Sequence, residues 1–142
     1  MRDAGALALR DADCVIPVPL HPWRRLRRGF NQAADLARHL GPPVVFALWR
    51  VRATASQAGL TADARRRNVR GAFRLSPLLS SRLRQASIQG RVVVLVDDVM
   101  TTGATLTACA QVLDAAGARE IRRLTLARAA LDRVKGQGWK DF

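Results

Sequence analysis

The sequence predicts one α/β domain built on a mainly parallel sheet, and three observations carry that prediction. Short β-favouring apolar runs alternate along the chain with stretches of helical spacing. The strongest run, Val92-Val93-Val94-Leu95-Val96, is apolar at five consecutive positions, the pattern of a strand covered on both faces. The length of 142 residues with 49% hydrophobic content suits a single two- or three-layer core and argues against disorder.

Taken in order, residues 2–10 form a short apolar-polar stretch ahead of the first strand. Cys14-Val15-Ile16-Pro17-Val18-Pro19 reads as a buried strand entering a turn, with Pro17 at its end because proline donates no ladder hydrogen bond. Residues 31–40 place Ala33, Ala34, Leu36, Ala37 and Leu40 at helical spacing, and Gly41-Pro42-Pro43 stops that helix. Residues 44–48 read as a second buried strand. Residues 50–69 are polar and basic and read as a long surface loop, with a short helix available over 61–68. A short strand over 71–75 and a helix over 80–86 lead into the strand at 92–96. A helix then spans 104–116, with Leu106, Ala110, Leu113 and Ala116 on its buried stripe and Gly117 as its stop. Ile121, Leu124 and Leu126 mark the last strand. The domain is expected to end near residue 132, leaving 133–142 as a loose polar tail.

Charge narrows the partners. Twenty-four basic residues stand against eleven acidic, a net charge of +13, and 22 of the 24 are arginine. Residues 21–74 contain twelve arginines against Asp35 and Asp63, so this segment alone carries +10. Such a field favours polyanions, and the planar guanidinium suits two-pronged phosphate contacts. Coding bias explains the choice of arginine over lysine equally well, but it explains the clustering less well. No apolar run reaches the roughly 18 residues a membrane helix needs, and no charged segment followed by an apolar core marks a secretory signal. A cytoplasmic location is therefore expected. Cys14 and Cys109 have no partner at metal-ligand spacing and read as reduced, buried thiols.

The chemistry concentrates after the strongest strand. In open α/β sheets ligands bind beyond the carboxyl ends of the strands, where Asp97 and Asp98 stand. Successive strand side chains point to opposite faces, so the two carboxylates need not touch. Burying them is costly unless donors or a cation meet them, and ribose hydroxyls or hydrated Mg²⁺ would do so. Paired cap-and-turn aspartates are the ordinary alternative. Thr101-Thr102-Gly103-Ala104-Thr105 then opens a helix, whose N-terminal N–H groups and dipole favour phosphate. Helix capping by Thr101 or Thr102 explains that loop in isolation, but not the strand, acid pair and loop together. Neither G-x-x-x-x-G-K-[ST] nor G-x-G-x-x-G occurs.

The run from Val93 to Thr105 resembles the phosphoribosyl-pyrophosphate (PRPP) motif of type I phosphoribosyltransferases. Val15-Ile16-Pro17-Val18-Pro19-Leu20-His21-Pro22, Gly29-Phe30-Asn31-Gln32, Arg52-Ala53-Thr54, Gln57 with Leu60, and Arg67-Asn68 before Gly71-Ala72-Phe73 resemble the ComF family. The resemblance covers roughly residues 11–130. It implies the phosphoribosyltransferase fold, with Asp97 and Asp98 on the ribose 2′- and 3′-hydroxyls. Thr101, Thr102, Gly103, Ala104 and Thr105 would hold the 5′-phosphate. It places Val18, Pro19 and Leu20 at the pyrophosphate, with Arg52 and Gln57 on a hood over the ligand. Mg²⁺ would accompany PRPP through the ligand and the two aspartates.

The resemblance also implies a role in natural competence, the uptake of single-stranded DNA, with DNA-processing proteins as partners. Arg24, Arg25, Arg27 and Arg28, with Trp23 and Phe30 interleaved, are then nucleic-acid candidates. Packing of the two aromatics against the domain is the ordinary alternative, and His21 reads equally as a phosphate contact or a surface residue. Two departures stand out. Longer members carry a Cys-rich zinc-binding segment that this chain cannot supply, so zinc is not expected. Residues 2–10 are a short substitute for the usual first helix, which leaves apolar surface that a homodimer would cover. No base-recognition segment follows Leu126, so the acceptor stays open.

Overall fold

A computed structural model describes residues 2–20, 31–52, 61–100 and 103–128. The elements, in chain order, are α1 (Arg2–Leu9), β1 (Cys14–Pro17), α2 (Gln32–Arg38), β2 (Leu48–Arg50), α3 (Ala62–Val69), β3 (Phe73–Leu75), α4 (Ser81–Ser87), β4 (Val92–Met100), α5 (Ala104–Ala115) and β5 (Glu120–Arg128).

Three strands form a parallel sheet in the order β1–β4–β5, with Ile16 beside Leu95, Pro17 beside Val96 and Asp97 beside Thr125. β4 is central because it is apolar on both faces, and residues 92–96 are all buried. Strand alternation sorts them. Val93 and Leu95 join Leu106, Cys109 and Leu113 of α5, while Val94 and Val96 pack with Val15 and Ala37 on the α2 side. The start of the sheet is pinned by Asp13. Its carboxylate accepts the Val92 N–H at 2.8 Å and meets Arg91 at 3.3 Å, and the backbone bond to Val92 is the main reason its pKa is lowered.

Helix ends follow from local chemistry. Asn31 caps α2 by accepting the Ala33 and Ala34 N–H groups, and its amide donates to the Val18 carbonyl at 3.4 Å. The cap thereby ties α2 to the segment leaving β1. Thr61 caps α3 and Ser80 caps α4. Gly117, at φ 91°, closes α5 in the left-handed conformation, with Ala118 N–H returning to the Leu113 carbonyl at 3.1 Å. α1 packs on β5, where Arg122 donates to the carbonyls of Ala8 and Arg10. The short substitute expected ahead of the first strand is a helix in place on the sheet.

One expectation needs correcting. Residues 44–48 do not form a buried strand. Val44 makes a single parallel bridge to Val15, and Ala47 N–H turns back to the Val45 carbonyl at 3.0 Å. That turn redirects the chain into β2, which pairs antiparallel with β3 as a separate two-stranded sheet. The short helix available over 61–68 is realised as α3, so the basic stretch is partly ordered by its own capped turn.

Candidate functional site

Of the residues singled out by the sequence, the structure describes Asp97, Asp98, Val18, Pro19, Leu20, Arg52, Gly103, Ala104 and Thr105. Asp97 and Asp98 are half-buried, and Asp98 N–H donates to Asp97 Oδ1 at 2.9 Å. Alternation along β4 puts Asp97 on the α5 side, in line with Val93 and Leu95. Burial, reinforced by the hydrogen bond and charge of Asp98, pushes the Asp97 carboxyl up to about 7. The Asp98 N–H and the Arg50 charge work against that rise without cancelling it. Desolvation of this kind favours the neutral form of a carboxyl.

Two other segments converge there. The Pro17–Val96 register, extended by the Val18 N–H donating to the Val96 carbonyl at 2.8 Å, brings Val18 level with the start of the acid pair, and Pro19 and Leu20 follow it. Val18 is buried, while Pro19 and Leu20 are half-buried. From the other side, α5 begins at Ala104 behind Gly103, which sits at φ 72° and provides no side-chain cap. A left-handed residue there favours glycine. Ala104 is buried and Thr105 is half-buried. The described cap is therefore glycine backbone. Thr101 and Thr102 lie outside the described residues.

The remaining candidates divide. Arg52 is exposed and donates to the Arg70 carbonyl at 2.6 Å, tying the end of β2 to the end of α3. Gln57, His21, Trp23, Arg24, Arg25, Arg27, Arg28 and Phe30 lie outside the described residues, as does the expected tail. The thiols behave as buried side chains. Cys14 Sγ donates to the Ser87 carbonyl at 3.2 Å and its pKa is pushed up to about 11, chiefly by burial; burial raises Cys109 as well. Neither is a ready nucleophile. Among the described residues no group of three or more His, Cys, Asp or Glu is placed to hold a metal ion. A cleft of about 780 Å³ opens elsewhere, between β3, α4 and α5, lined by Phe73, Arg74, Arg84, Gln111 and Val112, and none of the candidates above lines it.

The phosphoribosyl transferase domain family matches residues 26–141. The chain belongs to that family. Competence protein F of Haemophilus influenzae is 39% identical over 137 residues, which cover 87% of this chain and 57% of that protein. DNA utilization protein YhgH of Escherichia coli O157:H7 is 41% identical over 121 residues, covering 82% of this chain and 49% of that protein. The chain thus spans about half the length of the curated relatives it matches. Among solved structures, the allosteric regulatory enzyme of purine biosynthesis superposes with a TM-score of 0.50 at 22% identity, over 87% of this chain and 24% of that one. That similarity concerns the fold. The phosphoribosyltransferase fold and the ComF resemblance read from the sequence are both borne out.

Within this family fold one buried-side residue of β2 escapes the sequence reading. Arg50 falls at the head of the basic loop when the preceding strand is taken to end at residue 48. It belongs to β2, half-buried on the same side as buried Leu48, while Trp49 between them is exposed. An arginine at the inward position of an alternating triplet is the signal that could have found it.

Proposed function

We propose that this chain binds PRPP or a closely related phosphorylated ribose at the carboxyl end of β4. The observation that carries the reading is the desolvated Asp97–Asp98 pair, set between the segment leaving β1 and a glycine-led helix start. In this arrangement the carboxylates accept the ribose 2′- and 3′-hydroxyls. Gly103, Ala104 and Thr105, with Thr101 and Thr102 of the same loop, hold the 5′-phosphate through N–H groups and hydroxyls. Val18, Pro19 and Leu20 border the pyrophosphate, with Arg52 and Gln57 as hood candidates.

The donor set also fits Mg²⁺, since two adjacent carboxylates offer the hard oxygens that ion prefers. When bound with PRPP, Mg²⁺ supplies charge neutralisation on the pyrophosphate. The chain's own residues orient the ribose and exclude water on the buried β4 side. Displacement of pyrophosphate at ribose C1 needs no protein nucleophile, in keeping with two buried, protonated thiols. Group transfer to an acceptor is the natural extension, tested by pyrophosphate release. Free thiols accord with a cytoplasmic location; among the described residues no helix is long and apolar enough to cross a membrane.

Calorimetric titration with PRPP tests the reading directly. Saturable binding that requires Mg²⁺ is expected, and absence of binding by a folded sample sinks it.

A second reading, a competence accessory that holds single-stranded nucleic acid, is favoured by one surface feature. Trp49 and Arg74 are register partners on the β2–β3 pair and both are exposed, so one face of that pair carries an aromatic and a cation. The names of the relatives, a competence protein and a DNA utilization protein, point the same way. The basic segment with Arg24, Arg25, Arg27 and Arg28 would bind the nucleic-acid backbone as well. Replacing those four by Ala is expected to weaken single-stranded DNA retention. Its salt dependence should flatten by roughly 0.7 log units per log salt for every phosphate that is no longer neutralised. Retention that is unchanged at low salt removes this reading.

A further inference from the structure

The cleft between β3, α4 and α5 takes no part in the site described above, and its lining has a chemistry of its own. Its volume of about 780 Å³ is in the range of small-molecule sites. The floor is apolar. Leu75, Ala108, Val112 and Ala116 are partly buried and pack on the core cluster that contains Phe73, Leu106 and Leu113. Ala108, Val112, Ala115 and Ala116 follow helical spacing along one face of α5 and its cap, and their small side chains keep the floor low. The rim is polar and cationic. Arg74 of β3 and Arg84 of α4 are exposed, and among the described residues neither guanidinium enters an ion pair or a hydrogen bond. Gln89 and Gln111 bring a carboxamide each, and no lining residue is acidic.

The walls are held by the fold itself. A bridge between Gln89 and Ala118, and the Gly90 N–H donating to the Gly117 carbonyl at 2.8 Å, join the end of α4 to the end of α5. Arg91 Nε donates to the Ala86 carbonyl at 3.1 Å. The Arg84 carbonyl accepts the Ile88 and Gln89 N–H groups at 2.9 and 3.2 Å, and Ile88 is fully buried. The backbone that carries the Arg84 guanidinium is thereby anchored. α4 buries none of its own residues, so core packing does not account for its place beside the cleft.

Cations without a counter-charge select an anion, and the arginine fork suits phosphate. An apolar floor favours an organic body over a bare ion. Each carboxamide presents a donor and an acceptor side by side, the pattern that reads the edge of a heterocyclic base. We propose that this cleft is a second ligand site and that it takes a nucleotide, with the phosphate at Arg84 and Arg74 and the base over Ala108, Val112 and Ala116, its edge toward the two glutamines. A free nucleotide and the phosphorylated end of a single strand present the same chemistry. The proposal stands apart from the phosphoribose reading, because the two sites share no residue.

The test is calorimetric titration of the full chain with deoxyadenosine monophosphate, deoxyadenosine, inorganic phosphate and a 5′-phosphorylated oligodeoxyadenosine strand. Arg84→Ala removes a cation that has no partner among the described residues, Ala115→Trp fills the cleft from an exposed position, and Asp97→Asn/Asp98→Asn disables the ribose site. The parent is expected to bind the monophosphate saturably, and more tightly than nucleoside or phosphate alone. Arg84→Ala should weaken that binding about tenfold, the size of a lost hydrogen bond to a charged group. Ala115→Trp should abolish it, and the double Asn variant should keep it within about twofold. Both cleft variants should melt within a few degrees of the parent; if Ala115→Trp does not, Arg84→Ala decides. Strand binding that falls with the same substitutions makes strand ends the source, and strand binding that ignores them makes free nucleotides the source; both support the site. No saturable binding of the monophosphate overturns the proposal. So does equal affinity for phosphate and monophosphate, or binding that is lost in the double Asn variant and unchanged in Arg84→Ala.

Discussion

Asp97→Asn combined with Asp98→Asn is expected to abolish Mg²⁺-dependent PRPP binding and, at pH 8, to make the unliganded protein more stable. The two effects share one cause. Both carboxylates are half-buried at the end of an apolar strand, and Asp97 is pushed up to about 7, chiefly by burial. A carboxyl whose folded-state pKa lies above its unfolded value favours folding only while protonated. Stability is therefore lost as pH rises from about 4 through about 7, and the penalty is constant above that range. An asparagine carries no charge at any pH, and at position 97 its side-chain oxygen still accepts the backbone N–H of residue 98. Each pKa unit corresponds to about 1.4 kcal/mol, so after allowance for solvent access the gain at pH 8 is on the order of 2 kcal/mol. For a chain of this size that is a rise of roughly 6 °C in melting temperature. At pH 4 the gain vanishes, because Asp97 of the parent is then protonated too. Thermal melts at the two pH values and calorimetric titration at the higher one check both halves. Unchanged PRPP affinity removes the site assignment. A lower melting temperature at pH 8 removes the account of Asp97 as a desolvated carboxylate. The trade is typical of binding sites, where groups kept ready for a ligand are a strain on the unliganded fold.

The part of the structure most legible in the sequence is the part whose determinants are contiguous. β4, the acid pair, the loop and the start of α5 span residues 92–105, so period, turn residue and helix start are read without knowing any partner. The same holds for α2, where Asn31, the spaced alanines and Gly41 are all local. What is not legible depends on pairing. β2 and β3 have three residues each, and they exist as strands because Leu48 meets Leu75 and Arg50 meets Phe73 across a long intervening segment. Nothing within 44–52 announces that register, and the turn at Ala47 is fixed by a backbone bond rather than by a glycine or proline. The displaced boundary hides Arg50, since a residue assigned to a loop has no inward or outward side. The relation of Asp97 to Asp98 is illegible for a different reason. Strand alternation predicts side chains that point apart, but Asp98 meets Asp97 through its backbone N–H, which alternation does not constrain, and its side chain raises the Asp97 carboxyl as well.

Leu113→Ala is expected to carry the largest cost to folding while leaving the pocket intact. Leu113 is fully buried on α5 in the cluster that contains Ile88, Val93, Leu95 and Leu106, and its carbonyl accepts the Ala118 N–H that closes the helix. Truncation removes methyl groups from packing between α5 and β4, where neighbouring strand residues cannot collapse inward without disturbing the ladder. A cost of about 3 kcal/mol follows, or roughly 10 °C in melting temperature. Leu113 lies ten residues beyond Gly103, about 15 Å along the helix axis, so the start of α5 keeps its geometry as long as the helix is docked. Urea denaturation should therefore show a lower midpoint with an unchanged slope, because the folded state buries the same surface. PRPP affinity at low temperature, where the variant remains folded, should stay within about twofold of the parent by the usual independence of distant sites. A parallel collapse of affinity and stability would mean that α5 is held at its N-terminus by the ligand and not by the core. In that case the loop geometry at Gly103 would be a consequence of binding rather than a preformed cradle.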